Sequence, residues 1–129
     1  MSYTNLKYHI VFSTKQRRPL IGAELRPRLV KYIGGIIRQL KGRLLEADGT
    51  EDHLHLAAGI HPQTPLADLV RDVKANSSGW IHRTFPDLSG FAWQEGYSAF
   101  TVSHSVLPQV TEYICQQAEH HRRMTFKRN

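Results

Sequence analysis

Residues 43–60 read Arg43-Leu44-Leu45-Glu46-Ala47-Asp48-Gly49-Thr50-Glu51-Asp52-His53-Leu54-His55-Leu56-Ala57-Ala58-Gly59-Ile60, and this stretch decides the fold. Residues 43–46 and 52–60 have strand character, and they flank Ala47-Asp48-Gly49-Thr50-Glu51, where Asp48-Gly49 is a strong hairpin signal. An antiparallel pair is therefore expected in the middle of the chain. Its neighbours on either side then fix the class.

Upstream, Leu25, Leu29, Ile33, Ile36, Ile37 and Leu40 recur every three or four residues, which predicts an amphipathic helix over 24–41. Before it, Tyr8-His9-Ile10-Val11-Phe12-Ser13 is β-branched and aromatic and ends at the polar loop Thr14-Lys15-Gln16-Arg17-Arg18-Pro19, so it reads as a first strand. Downstream, Leu66, Leu69, Val70, Val73, Trp80 and Ile81 form the stripe of a second helix over 66–85, framed by Pro65 and Pro86. Residues 91–103 alternate irregularly and predict a strand interrupted near Gly96. A last helix is expected over 107–123, after the cap Ser105. The order is βαββαβ plus a helix, which predicts an α+β, ferredoxin-like antiparallel sheet with helices on one face and an additional C-terminal helix.

The 129 residues make one domain's worth of chain, so residues 1–129 are read as a single domain. Lys and Arg number 17 against 11 Asp and Glu, a net charge of +6 that makes a polyanion a natural partner. The excess is uneven. Residues 1–43 hold ten of the basic residues and only Glu24, whereas residues 44–72 hold six acids and only Arg71. The single Cys115 excludes a disulfide framework and a Cys-rich zinc site, and neither a membrane span nor a secretory signal is present, so a cytoplasmic protein without membrane association is expected.

His53-Leu54-His55 is the most informative local feature. Residues two apart on a strand project to one face, so the two imidazoles point together while Asp52, Leu54 and Leu56 turn to the other side. Neutral imidazole is a common ligand of divalent metals, but His-x-His alone is equally the pattern of two ordinary strand histidines. Glu51 shares the phase of the histidines as a supporting group, or belongs only to the turn. Tyr113 and Gln117 lie four apart on one face of the last helix, a spacing that by itself suits a core edge and a solvent position. Joined to the histidines, Gln117 can offer a carbonyl oxygen as a third ligand, and Tyr113 a nucleophile. Lys15, Arg17 and Arg18 are candidate phosphate contacts, Lys74 and Asn76 candidate DNA contacts, and Trp80 and Trp93 are read as core. His9 alternates away from Tyr8, Ile10 and Phe12 and takes no assigned role.

The segments Tyr8 to Pro19, Glu51 to Leu56 (EDHLHL), Lys74 to Ile81 (KANSSGWI), Phe91 to Ser103 and Glu112 to His121 (EYICQQAEHH) together resemble the single-tyrosine HUH transposases of small insertion sequences and the related REP-associated tyrosine transposases. HUH denotes histidine, a bulky hydrophobic residue and histidine, here His53, Leu54 and His55. The resemblance implies that His53, His55 and Gln117 bind a divalent ion, Mg²⁺ or Mn²⁺, and that Tyr113 attacks DNA. It further implies cleavage of single-stranded DNA beside hairpins, a covalent 5′-phosphotyrosyl intermediate, rejoining without a nucleotide cofactor, and a homodimer whose tyrosine helix completes the partner's metal site. Many family members continue past this helix with a further segment that helps position the site, whereas this sequence stops at Asn129. Two other readings stay open at this level: a domesticated relative acting on chromosomal palindromic repeats, and a non-catalytic nucleic-acid-binding protein on the same sheet.

Overall fold

The computed structural model describes residues 5–102. The helix expected over 107–123, with Tyr113 and Gln117, lies outside the described residues. Within them the order is β1 (Lys7–Ser13), α1 (Leu25–Gln39), β2 (Arg43–Gly49), β3 (His53–Gly59), α2 (Leu66–Thr84) and β4 (Ser98–Val102). The strands form one antiparallel sheet in the order β2-β3-β1-β4, the expected ferredoxin-like arrangement.

Strand periodicity divides the sheet into two chemical faces. Ile10 and Phe12 of β1 and Leu54, Leu56 and Ala58 of β3 are buried with Leu29, Ile33 and Ile37 of α1 and Leu69, Val73 and Ile81 of α2, so both helices pack on one face. Removing each such Leu or Ile from water is worth roughly 1.5–3 kcal/mol. Trp93 meets Phe12 and Phe91 edge-on at 4.8 and 4.9 Å, and Trp80 stacks on Tyr32 at 4.6 Å, so both tryptophans pack against the core as expected.

Three local differences from the expectation have physical causes. β2 continues through Asp48 and Gly49, so the turn is Thr50-Glu51-Asp52 rather than one centred on Asp48-Gly49. Gly49 makes this close pairing feasible, because a Cβ there would lie 2.2 Å from the carbonyl oxygen of His53. A bulge between Leu44 and Glu46 leaves Leu45 outside the ladder and erases the alternation that marks a strand. Finally, β4 is confined to Ser98–Val102, after Gly96 turns the chain with φ +86°. The earlier part of the expected strand contributes one bridge, Trp93 to Thr14.

Candidate functional site

The site begins with the register of β1 and β3. Ser13 faces His53, Val11 faces His55 and His9 faces Ala57, which puts all three histidines on the face opposite the helices. His53 and His55 are both buried, with ring centroids 5.0 Å apart, and His9 stacks 5.9 Å from His55. The expected convergence of the two motif histidines is thus present. His9, which the sequence left without a role, joins them because β1 is the neighbour of β3. Burial lowers the His9 pKa below the ordinary histidine value.

The turn preceding His53 supplies its support. The Nδ1 of His53 meets a carboxylate oxygen of Asp52, and the Thr50 hydroxyl lies 3.0 Å from that nitrogen while donating to Asp52 at 2.9 Å. Asp52 therefore turns toward His53 instead of sharing the opposite face with Leu54 and Leu56, because it belongs to the turn and not to the strand. The carboxylate beside the histidines is Asp52, whereas Glu51 is exposed and contributes its carbonyl, which accepts the Ile21 N–H at 2.9 Å. For Asp52, partial burial pushes the pKa up, but hydrogen bonds from His53 and Thr50 and the Arg17 and His53 charges together bring it below the ordinary value.

The basic loop is stitched to this turn. The Thr14 N–H donates to the Asp52 carbonyl at 2.8 Å, and the Thr14 hydroxyl donates to the Arg18 carbonyl at 2.7 Å. Gln16 and Arg17 adopt left-handed backbone (φ 59° and 56°), and the Gln16 N–H donates to the Gln94 side chain at 3.1 Å. That conformation separates the three cations. Arg17 reaches Asp52 at 3.4 Å and lines a cavity of about 340 Å³ with His53, His55, Gly96 and Tyr97. Lys15 and Arg18 line a second cavity of about 270 Å³.

Lys74 of α2 donates to the carbonyls of Gln94 and Gly96 at 2.5 and 3.0 Å, holding the loop that walls the histidine cavity, and burial lowers its pKa. Asn76 is exposed on the same helix. Of the candidates on described residues, the structure gathers His53, His55 and Arg17 at one cavity and leaves Asn76 outside its lining.

The donor set suits a divalent ion. Two adjacent imidazoles share one cavity, and a histidine with one ring nitrogen supported by a carboxylate is the usual arrangement at histidine metal ligands. Among the described residues no three His, Cys, Asp or Glu side chains form a metal-binding group, and the third ligand implied by resemblance, the Gln117 amide, lies outside them. Among the described residues, too, no helix is long and apolar enough to cross a membrane.

Comparison with known proteins places this geometry in context. Residues 2–117 match the family model described as transposase, IS200 like. The transposase of insertion sequence element IS200 from Salmonella typhimurium (strain LT2) is 32% identical over 124 residues, covering 89% of this chain and 78% of that relative. The ISDra2 transposase TnpA of Deinococcus radiodurans is 26% identical over 117 residues, covering 87% and 84%. Among solved structures, a protein assigned as a transposase from Deinococcus radiodurans R1 superposes with a TM-score of 0.75 at 28% identity, covering 90% of this chain and 93% of that one. A REP-associated tyrosine transposase bound to a REP hairpin shares the fold, with a TM-score of 0.68 at 13% identity, covering 94% and 72%.

Proposed function

The chain belongs to the IS200-like transposases, and from that premise we propose that it cuts and rejoins single-stranded DNA through tyrosine attack on a backbone phosphate. The observation that carries this reading is the pairing of His53 and His55 on one face of β3, in a cavity that also receives Arg17. With Gln117 these histidines would hold a divalent ion, Mg²⁺ or Mn²⁺, whose charge would favour phenolate and offset charge gathering on the phosphate. Imidazole donors favour Mn²⁺ of the two.

Tyr113 is the nucleophile in this proposal. A free phenol ionises at about pH 10, so its activation depends on the cationic surroundings. Its oxygen forms a bond to phosphorus as the bond to the 3′-oxygen breaks, leaving a 5′-phosphotyrosyl link and a 3′-hydroxyl. In the reverse sense, a 3′-hydroxyl attacks the link and frees the tyrosine. One phosphodiester is exchanged for another, so joining needs no nucleotide cofactor. Arg17, Lys15 and Arg18 hold the phosphates of the strand, with the N-terminal basic excess attracting it.

The substrate class is single-stranded DNA carrying a hairpin, a reading supported by the fold shared with a relative that holds a REP hairpin. Residues 1–129 act as one catalytic domain, and two copies form a homodimer. The deciding experiment incubates the protein with labelled hairpin oligonucleotides and Mn²⁺ or Mg²⁺, followed by denaturing electrophoresis. A protein–DNA adduct is expected from the wild type and none from Tyr113→Phe. An equal adduct from both would refute tyrosine attack at this position.

A further inference from the structure

We propose that Asp52, steadied by Thr50, is the positioning residue that fixes which nitrogen of His53 is presented as a metal ligand. The proposal rests on the reading of His53 as a ligand. An ionised carboxylate can only accept, so its contact with Nδ1 requires the hydrogen to reside on Nδ1. In neutral imidazole the lone pair is then at Nε2. The Thr50 hydroxyl enforces the same choice: its one hydrogen goes to Asp52 at 2.9 Å, so at 3.0 Å from Nδ1 its oxygen also accepts.

Backbone contacts hold the support in place. The Asp52 carbonyl accepts the Thr14 N–H at 2.8 Å, and the Thr50 N–H donates to the His53 carbonyl at 2.9 Å. These bonds fix the main chain of the turn, and the Thr50 hydroxyl, donating at 2.9 Å, holds the carboxylate beside the ring. A third partner of the carboxylate, Arg17, is 61% exposed and 3.4 Å away, the kind of surface pair that contributes little by itself. The side chain of His53 is only 6% exposed, so its contact constrains the Asp52 carboxylate more than the Arg17 pair does.

Two measurements on the full chain test this. Long-range proton–nitrogen NMR of the metal-free wild type is expected to show His53 with hydrogen on Nδ1, and hydrogen on Nε2 would overturn the proposal. Titration with Mn²⁺, followed by the electron paramagnetic resonance of the free ion, should show Asp52→Ala weakening binding about ten- to a hundred-fold. Asp52→Asn, whose amide oxygen can still accept from Nδ1, should recover part of that loss, and Thr50→Val should weaken binding less than Asp52→Ala. Wild-type affinity in Asp52→Ala, with His53→Ala defective, would overturn the positioning role and leave His53 a ligand. Unchanged affinity in His53→Ala would instead overturn the ligand assignment beneath it. Circular dichroism identifies a misfolded variant, in which case the NMR tautomer and Thr50→Val decide.

Discussion

The two faces of β3 are built from the same seven residues yet obey different rules. Leu54, Leu56 and Ala58 enter the core shared with both helices, while His53, His55 and Ala57 occupy the opposite side. On the helix side, packing decides which residues are acceptable. On the other side, Asp52 and Thr50 of the turn contact the His53 imidazole, and the His55 ring lies between those of His53 and His9. The lesson is that strand periodicity joins stability and chemistry without mixing them: adjacent residues differ in role because their side chains point apart.

The sharpest test of that division compares neighbours. Leu56→Ala removes a side chain that is 1% exposed and should lower stability by about 2–5 kcal/mol in denaturant unfolding. Adduct formation per folded molecule should survive, measured well below the midpoint of unfolding. His55→Ala, one residue away, should give the opposite pattern, losing the adduct with the smaller loss of stability. If Leu56→Ala abolished the adduct in fully folded protein, the two faces would not be separable.

Most of the helix side was legible in the sequence. The stripe from Leu25 to Ile37 repeats at helical spacing, and its members Leu25, Leu29, Ile33, Ile36 and Ile37 are all buried. The pairing of His53 with His55 was legible for the same reason, since period two is a property of the backbone. β2 was harder to read. Its bulge at Leu45 breaks the alternation, and Asp48-Gly49 carries turn chemistry although it lies in the strand. Asp52, Thr50 and His9 were missed because their roles arise from a turn and from strand order, neither of which periodicity within one strand encodes. A residue directly before a histidine pair is out of phase with it in an unbroken strand. Here the turn redirects Asp52 to His53.

A second test joins the two faces at Gly49, which packs against the backbone of both His53 and Leu54. In Gly49→Ala the new methyl group would meet the His53 carbonyl at 2.2 Å and the Leu54 Cα at 3.0 Å, so backbone must separate at the end of the hairpin. Overpacking of this kind costs about 1–3 kcal/mol. Unlike Leu56→Ala, this change should lower both stability and adduct yield per folded molecule, because the displaced backbone carries Thr50 and His53. Wild-type behaviour in both measurements would show that the approach of β2 to β3 does not constrain the site.

The smallest effects separate two cations near the same cavity. Arg17 is exposed and pairs loosely with Asp52, so Arg17→Ala should change stability by less than about 1 kcal/mol. Arg17 lines the cavity, however, and the slope of log affinity for single-stranded DNA against log salt should become shallower by about 1. Lys74 is spent on the Gln94 and Gly96 carbonyls, so Lys74→Met should cost about 1 kcal/mol by loosening the cavity wall while leaving the salt slope unchanged. Fluorescence anisotropy at several salt concentrations, paired with thermal unfolding, reads both quantities. A slope that changed with Lys74 and not with Arg17 would reverse the assignment and move the DNA path from the basic loop to α2.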